Sequence, residues 1–272
     1  MAHVTWVVET GIEPAYEKVL LKSIQKTGSK AFVRKVLPFG EGMLDPPDLS
    51  GHVVFHGSLQ GAQWVREHTD WKPGAIENTS QLECRYYYPR LGPRLLNREH
   101  TFLPFGCLEE RKDDLFRWLG EADCIFLRPD SNRKPFSGQI IRKEQWNEDI
   151  GLASFYGVDP EVMVVVARPQ VVRAEWRFFV CRGQVVTGSC YRRGDQRVRK
   201  RADEKRMDVA RNMLAFALSQ GYDPDPVWVL DICEDGAGEY RILEVGGFSS
   251  AGLYACNTHL LVQAVEVAVT QP

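Results

Sequence analysis

Two apolar runs near the C-terminus constrain this chain more than any other feature. Val227-Trp228-Val229-Leu230 ends in Asp231, and Tyr240-Arg241-Ile242-Leu243 ends in Glu244. The polar stretch from Glu234 to Gly238 joins them, so they read as neighbouring strands of one hairpin. Gly246-Gly247-Phe248-Ser249-Ser250-Ala251-Gly252 follows, which sets two carboxylates beside a loop of small residues. Such a pair suits a hard cation carrying a nucleotide phosphate. Read alone, the same residues also describe a surface hairpin with acidic ends.

The 272 residues suffice for one large domain or two modest ones. With 44% hydrophobic and 26% charged residues, the chain can build an ordinary core without disulfides or metal staples. A formal net charge of -2 argues against a dedicated nucleic-acid binder, whose footprint is a strong basic excess. No apolar run reaches the roughly 18 residues of a membrane span, and the start, Met1-Ala2-His3-Val4, lacks the charged and apolar regions of a secretion signal. The expectation is a cytoplasmic protein. Seven cysteines at scattered positions, with no C-x-x-C pair, read as reduced and mostly buried thiols.

The first hundred residues alternate strand and helix periods. Val4 to Glu9 is a short apolar strand, Pro14 to Gln25 sets Tyr16, Val19, Leu20 and Ile24 at helical spacing, and Ala31 to Leu37 is a second strand. A Pro- and Gly-rich loop, Pro38 to Pro47, precedes a third strand, His52 to His56, and Ser58 is placed to cap the helix that carries Leu59, Ala62, Trp64 and Val65. This alternation predicts a small parallel α/β sheet. His56, Gly57 and Ser58 stand at a strand's carboxyl end, where such sheets bind ligands, unless Gly57 only makes a tight turn. Tyr86-Tyr87-Tyr88 with Arg85, Arg90 and Arg94 reads either as a base-stacking platform or as a half-buried strand beside a solvated loop.

From Leu115 the pattern changes. A strand from Cys124 stops at Arg128-Pro129-Asp130, and a polar loop carries Lys134-Pro135-Phe136-Ser137-Gly138. Val162 to Val166 is a continuous apolar run buried on both faces. Trp176 to Val180 and Val185 to Ser189 form an antiparallel hairpin through Cys181-Arg182-Gly183-Gln184. Arg192 to Arg206 reads as a strongly charged loop or helix start, normally a solvated face, and Met207 to Leu218 as a helix.

In chain order the second half therefore offers Arg128, Lys134, an apolar strand, Glu175-Trp176-Arg177, Arg192, and the carboxylates Asp231 and Glu244. This ordered set resembles the ATP-grasp superfamily, specifically the clade with a conserved arginine and lysines in the nucleotide site. Arg128-Pro129-Asp130 with Lys134 to Gly138, Glu175 to Val180, Gly188-Ser189-Cys190-Tyr191-Arg192, Val229-Leu230-Asp231, Leu243-Glu244-Val245 and Phe248 to Tyr254 carry the resemblance. It implies an α/β chain of α+β ATP-grasp type: a small N-terminal parallel α/β domain over 1–108, then a two-part ATP-grasp module with an antiparallel sheet over 109–272.

The resemblance further implies an ATP-dependent ligase that activates a carboxylate as an acylphosphate for attack by an amine or other nucleophile, with a small-molecule or peptide substrate. ATP and Mg2+ are the implied cofactors. Arg128 and Lys134 would neutralise the triphosphate, and the strand bearing Val164, Val165 and Val166 would hold the adenine through its main chain. Glu175 would contact the ribose or orient Arg177. Arg177 and Arg192 are the catalytic candidates at the terminal phosphate, and Asp231 and Glu244 the metal ligands. Where the superfamily has an asparagine two residues after the glutamate this chain has Gly246, with Ser249 a candidate to replace it. A second reading is a polynucleotide ligase of RNA-repair type, with the tyrosine cluster and the segment 192–206 on nucleic acid. The net charge and the lack of a Lys-x-Asp-Gly element weigh against it. A non-catalytic ATP-binding protein is the third.

Overall fold

The computed structural model describes residues 3–37, 42–155 and 157–271. Its contacts divide the chain into two units: unit one comprises Met1–Asn78, Ala174–Ile232 and Glu244–Pro272, and unit two Thr79–Arg173 and Cys233–Leu243. Both are discontinuous in sequence, so their limits differ from a single cut at residue 108.

Unit one opens with β1 (Val4–Glu9), α1 (Pro14–Thr27), β2 (Lys30–Arg34), β3 (Val36–Leu37), β4 (Gly42–Met43), β5 (His52–His56), α2 (Leu59–His68) and β6 (Lys72–Gly74). The order β2-β1-β5-β6, parallel throughout, is the small sheet expected from the alternation. Pro14 at the start of α1 and Gly28, left-handed at its end, supply the boundary signals. Ser58 caps α2 as expected, its Oγ accepting from the Gly61 amide at 2.9 Å. The strand expected over Ala31 to Leu37 breaks after Arg34, and its second piece pairs antiparallel with β4. Residues 38–41 of the Pro- and Gly-rich loop lie outside the described residues.

Unit two carries α3 (Cys84–Leu91), β7 (His100–Pro104), α4 (Leu108–Leu119), β8 (Cys124–Pro129), β9 (Gln139–Arg142), α5 (Trp146–Ala153) and β10 (Met163–Ala167). The strands run β7-β10-β8-β9, each pair antiparallel. The tyrosine cluster is helical, which corrects the strand-and-loop reading. Cys84, Tyr87, Tyr88 and Leu91 recur at i, i+3, i+4 and i+7 and are all buried, so one helical face overrides the strand preference of three consecutive aromatics.

The chain continues with β11 (Val172–Cys181), β12 (Gln184–Arg193), β13 (Gln196–Arg201), α6 (Glu204–Ser219), β14 (Val227–Asp235), β15 (Tyr240–Gly247) and α7 (Thr258–Thr270). Their sheet has the order β13-β12-β11-β14-β15, with the predicted hairpin as β11 and β12 and the carboxylate strands adjacent at the other end. The segment 192–206 is neither loop nor helix start alone. Its middle is β13, an edge strand whose arginines and lysine keep an open sheet edge hydrated, and Asp203 then caps α6 by accepting from the Arg206 amide at 3.0 Å. In unit one Trp6, Val8, Leu20 and Ile24 share a core with Phe179, Val229, Phe248, Val262 and Val265. Unit two has its own, around Ile125, Leu127, Ile141, Trp146, Val164 and Val166.

Candidate functional site

Adjacent strands β11 and β14 bring Arg177 to Asp231. Arg177 Nε and Nη2 donate to Asp231 Oδ1 and Oδ2 at 2.9 and 2.7 Å, a two-toothed pair that fixes the guanidinium plane. Glu244 Oε1 lies 4.0 Å from Nη2. The three side chains are 12%, 1% and 19% exposed, so their charges interact in poorly hydrated surroundings. Burial pulls the Arg177 pKa down, and the charge and hydrogen bonds of Asp231 outweigh it, so the guanidinium holds its proton more firmly than usual. The Tyr191 and Tyr254 rings stack 4.9 Å apart, with the Arg177 guanidinium 5.7 and 5.4 Å from their centroids. Burial, then the nearby carboxylates, pushes the Tyr191 phenol well above its ordinary pKa. Tyr254 is held at φ 46°, a left-handed conformation that non-glycine residues adopt at a cost.

Glu175 and Arg192 are register partners across β11 and β12, and Arg192 Nη1 donates to Glu175 Oε1 at 2.9 Å. Arg192 is 49% exposed and Glu175 only 9%. Burial raises the Glu175 pKa, while hydrogen bonds from Tyr191 and Arg192 hold it down in part. The residue that orients Arg177 is thus Asp231, and Glu175 instead anchors Arg192. Neither tyrosine was assigned a role by sequence, although both stand inside the motifs that carry the resemblance.

Asp231 and Glu244 suit magnesium by their chemistry. Each carboxylate oxygen has two lone pairs, so Asp231 can serve Arg177 and still offer a ligand position. Magnesium is commonly held by one or two carboxylates together with phosphates and water, rather than by an all-protein cage. Among the described residues there is no group of three or more His, Cys, Asp or Glu that would form such a cage. Ser249 does not replace the missing asparagine. It is fully buried, its Oγ donates to the Phe55 carbonyl at 2.7 Å, and it accepts from the Ile76 amide at 2.8 Å. Its hydroxyl is consumed in holding the loop after β15 to the parallel sheet. Gly246, on β15, offers no side chain.

The remaining expected residues belong to unit two. Arg128, on β8, faces Val165 in register on β10, and its charge lowers the phenol pKa of Tyr87 and Tyr88 against the larger effect of their burial. Val164, Val165 and Val166 are fully buried on an inner strand paired to β7 and β8, so their main-chain groups are engaged in the sheet. The chain leaves the strand at residues 168–171. Lys134 is exposed at φ 48° in a turn, its amide donating to the Ser131 carbonyl at 3.3 Å, and Phe136 fastens the same loop to the core. Tyr87 and Tyr88, at 0% and 1% exposure, are closed to stacking with bases. None of the seven cysteines is in a disulfide, and five are buried. Among the described residues no helix is long and apolar enough to cross a membrane.

No curated protein matches the sequence. Solved structures do match the fold. D-cycloserine synthetase DcsG is similar over 97% of this chain and 99% of its own, at TM-score 0.64 and 16% identity. D-alanyl-alanine synthetase A from Vibrio cholerae is similar over 100% of both chains, at TM-score 0.65 and 14% identity. The ATP-grasp ligase PsnB, in complex with a minimal precursor, is similar over 98% of this chain and 100% of its own, at TM-score 0.58 and 12% identity. At the level of sequence, the model of the ATP-grasp domain of the arginine-and-lysine clade, family 3, matches residues 52–265, across the boundary expected at residue 108, and the chain belongs to that family.

Proposed function

We propose that the chain is an ATP-dependent ligase that activates a carboxylate as its acylphosphate and passes the acyl group to an amine or other nucleophile, with ADP and phosphate released. The observation that supports this most is the cluster of Arg177, Asp231 and Glu244: one cation and two carboxylates, poorly hydrated and mutually oriented, in a chain of the ATP-grasp family. In phosphoryl transfer the protein's work is positioning and charge stabilisation rather than covalent catalysis. A substrate carboxylate oxygen bonds to the γ-phosphorus as the bridging oxygen departs with ADP. The nucleophile then attacks the acyl carbon and phosphate leaves.

Arg177, locked by Asp231, is a donor already oriented for charge developing on the transferred phosphoryl group. Arg192 is the second catalytic candidate, anchored by Glu175 and half exposed to solvent. Arg128 and Lys134 take the other phosphates, and Val164, Val165, Val166 and Glu175 the nucleoside. Asp231 and Glu244 would hold Mg2+, which when bound neutralises phosphate oxygens. The substrate is a small molecule or peptide, and the reaction is placed in the cytoplasm. Burial of Tyr87 and Tyr88 removes base stacking by that cluster from the support for a nucleic-acid partner, which leaves only the basic segment 192–206.

The test uses ATP labelled in the α or the γ position, with magnesium and a mixture of the common amino acids. ADP and labelled phosphate are expected. A stable lysyl-AMP adduct, or release of AMP, would sink the reading.

A further inference from the structure

The five-stranded sheet has β13 at one end, bonded to β12 on one side and to no strand on the other among the described residues. We propose that an extended acidic segment adds to this edge as a further strand, and that the enzyme acts on a peptide bearing several carboxylates; the second half rests on the ligase reading above.

The first support is charge. From Arg192 to Arg206 the chain carries eight Arg and Lys against three Asp and Glu, within a protein of formal net charge -2. Part of this excess is neutralised locally: Glu175 and Asp195 meet Arg192, Glu13 meets Arg199, and Asp203 meets Arg206. Arg193, Arg197, Lys200 and Arg201 are exposed and form no ion pair among the described residues. A basic edge repels a second copy of itself, which is how such edges resist pairing between like chains. An acidic strand meets the opposite situation, because unlike charges directly across a strand pair attract. The row of cations therefore selects one kind of strand while it excludes others.

The second support is the face these cations occupy. Arg177, Ser189 and Arg201 are in register across β11, β12 and β13, and so are Glu175, Arg192 and Arg197. Residues in register share a face, and alternation along β13 adds Arg199 to it. Arg197, Arg199 and Arg201 thus form a row spaced at about 7 Å on the face that carries the phosphate cluster. The Arg199 guanidinium lies 4.8 Å from the Tyr16 ring centroid, Tyr16 meets Tyr254 edge-on at 6.3 Å, and Tyr254 lies over Arg177 at 5.4 Å. Three strand spacings, about 14 Å, separate a strand added beside β13 from the strand of Arg177, a distance that about four extended residues cover. One carboxylate of a peptide can therefore reach the phosphate cluster while others stay on the edge.

A peptide fits this row better than a nucleic acid does. Alternate side chains of an extended peptide also repeat at about 7 Å, so acidic residues at every second position stand opposite Arg197, Arg199 and Arg201. The outer side of β13 adds main-chain donors and acceptors, which supply affinity in strand addition while the side chains supply specificity. Single-stranded nucleic acid is held by aromatic platforms as well as by cations. Here Tyr191 and Tyr254 stack on each other, and Tyr87 and Tyr88 are buried. The proposed ligation also consumes a carboxylate, which an acidic peptide carries and a nucleic acid lacks.

Calorimetry of the full chain with a short peptide of alternating Glu and Thr tests the proposal. The peptide should bind, and its Gln-Thr counterpart at least tenfold more weakly. The double variant Arg197→Ala, Arg201→Ala should lose at least tenfold in affinity for the Glu-Thr peptide, with Mg-ATP affinity unchanged. Alternate amides of an added strand face β13, so N-methylation of either the Glu amides or the Thr amides should weaken binding at least tenfold. Absence of binding, equal binding of the Gln-Thr peptide, full affinity in the double variant, or full affinity of both methylated peptides overturns it. So does single-stranded RNA of equal charge that binds as tightly as the Glu-Thr peptide. If wild type binds the peptide but not Mg-ATP, the ligase reading falls and the edge site stands; if Mg-ATP binds and the peptide does not, the edge site falls and the ligase reading stands.

Discussion

The expected site residues of unit one hold one another, whereas those of unit two are held by the sheet and loop around them. Arg177 is ion-paired with Asp231 and Glu244, and Arg192 with Glu175, on a single sheet, with Tyr191 and Tyr254 closing over the buried Arg177 guanidinium. In unit two Arg128 lies on a strand, Lys134 extends from a turn, and the three valines belong to the core. At the Arg177–Asp231 pair the charges that would handle phosphate also carry the fold, so function and stability cannot be separated there. In unit two they can be.

The largest expected effect follows from that difference. Asp231→Ala leaves Arg177 charged, buried and without its two-toothed partner, and breaking such a pair costs about 3–5 kcal/mol. Denaturant unfolding should show the midpoint falling accordingly, with Mg-ATP affinity lost as well. A midpoint equal to wild type would mean that Arg177 finds another anion, and the comparison would break. Glu244→Ala should do the opposite. At 19% exposure and 4.0 Å from Arg177 it contributes within about 1 kcal/mol to stability, yet its loss should weaken Mg-ATP binding at least tenfold in calorimetry.

Arg192→Ala sharpens the comparison through pH. Arg192 is half exposed, so after solvent screening its pair with Glu175 is worth about 1 kcal/mol or less. Burial raises the Glu175 pKa in the folded chain above the ordinary 4.5, and Arg192 limits the rise. A raised carboxyl penalises folding only once the unfolded chain ionises, above 4.5, and the penalty grows as pH climbs to the folded value. Without Arg192 the folded value rises further. The variant's deficit should therefore be present at neutral pH, shrink as the pH is lowered through the raised folded-state values, and be gone by 4.5. A deficit that persists in acid would assign the loss to packing of the arginine stem.

Much of this was legible because it is local. The strand and helix periods of β1, α1 and β5, the Ser58 cap, and the paired ends Asp231 and Glu244 are each set by residues within a few positions of one another. The tyrosine helix was legible too, in the spacing of Cys84, Tyr87, Tyr88 and Leu91, but three adjacent aromatics outweighed it. What no local pattern shows is a partner far along the chain. Ser249 bonds Phe55 and Ile76, 194 and 173 residues away, and so looked free to bind a metal. Tyr16 meets Tyr254, and Gly57, which read as part of a ligand-binding strand end or as a tight turn, leaves room for the Glu9 carboxylate. The inner position of β10, which commits the main chain of Val164 to Val166, is likewise a matter of sheet order and not of apolar composition.

Lys134 gives the smallest effect on stability and the cleanest separation from unit one. The side chain is exposed, so Lys134→Ala should change the unfolding free energy by no more than about 0.5 kcal/mol. Its backbone sits at φ 48°, where glycine escapes the cost that a Cβ imposes, so Lys134→Gly should be about 1 kcal/mol more stable than the alanine variant. Both should lose Mg-ATP affinity to the same degree, severalfold or more, because both remove the same cation. Two variants of unequal stability and equal affinity would show that unit two's contribution is charge alone. If affinity instead follows stability between the two, the turn conformation and not the ammonium is what the nucleotide requires, and the contrast with the interlocked residues of unit one disappears.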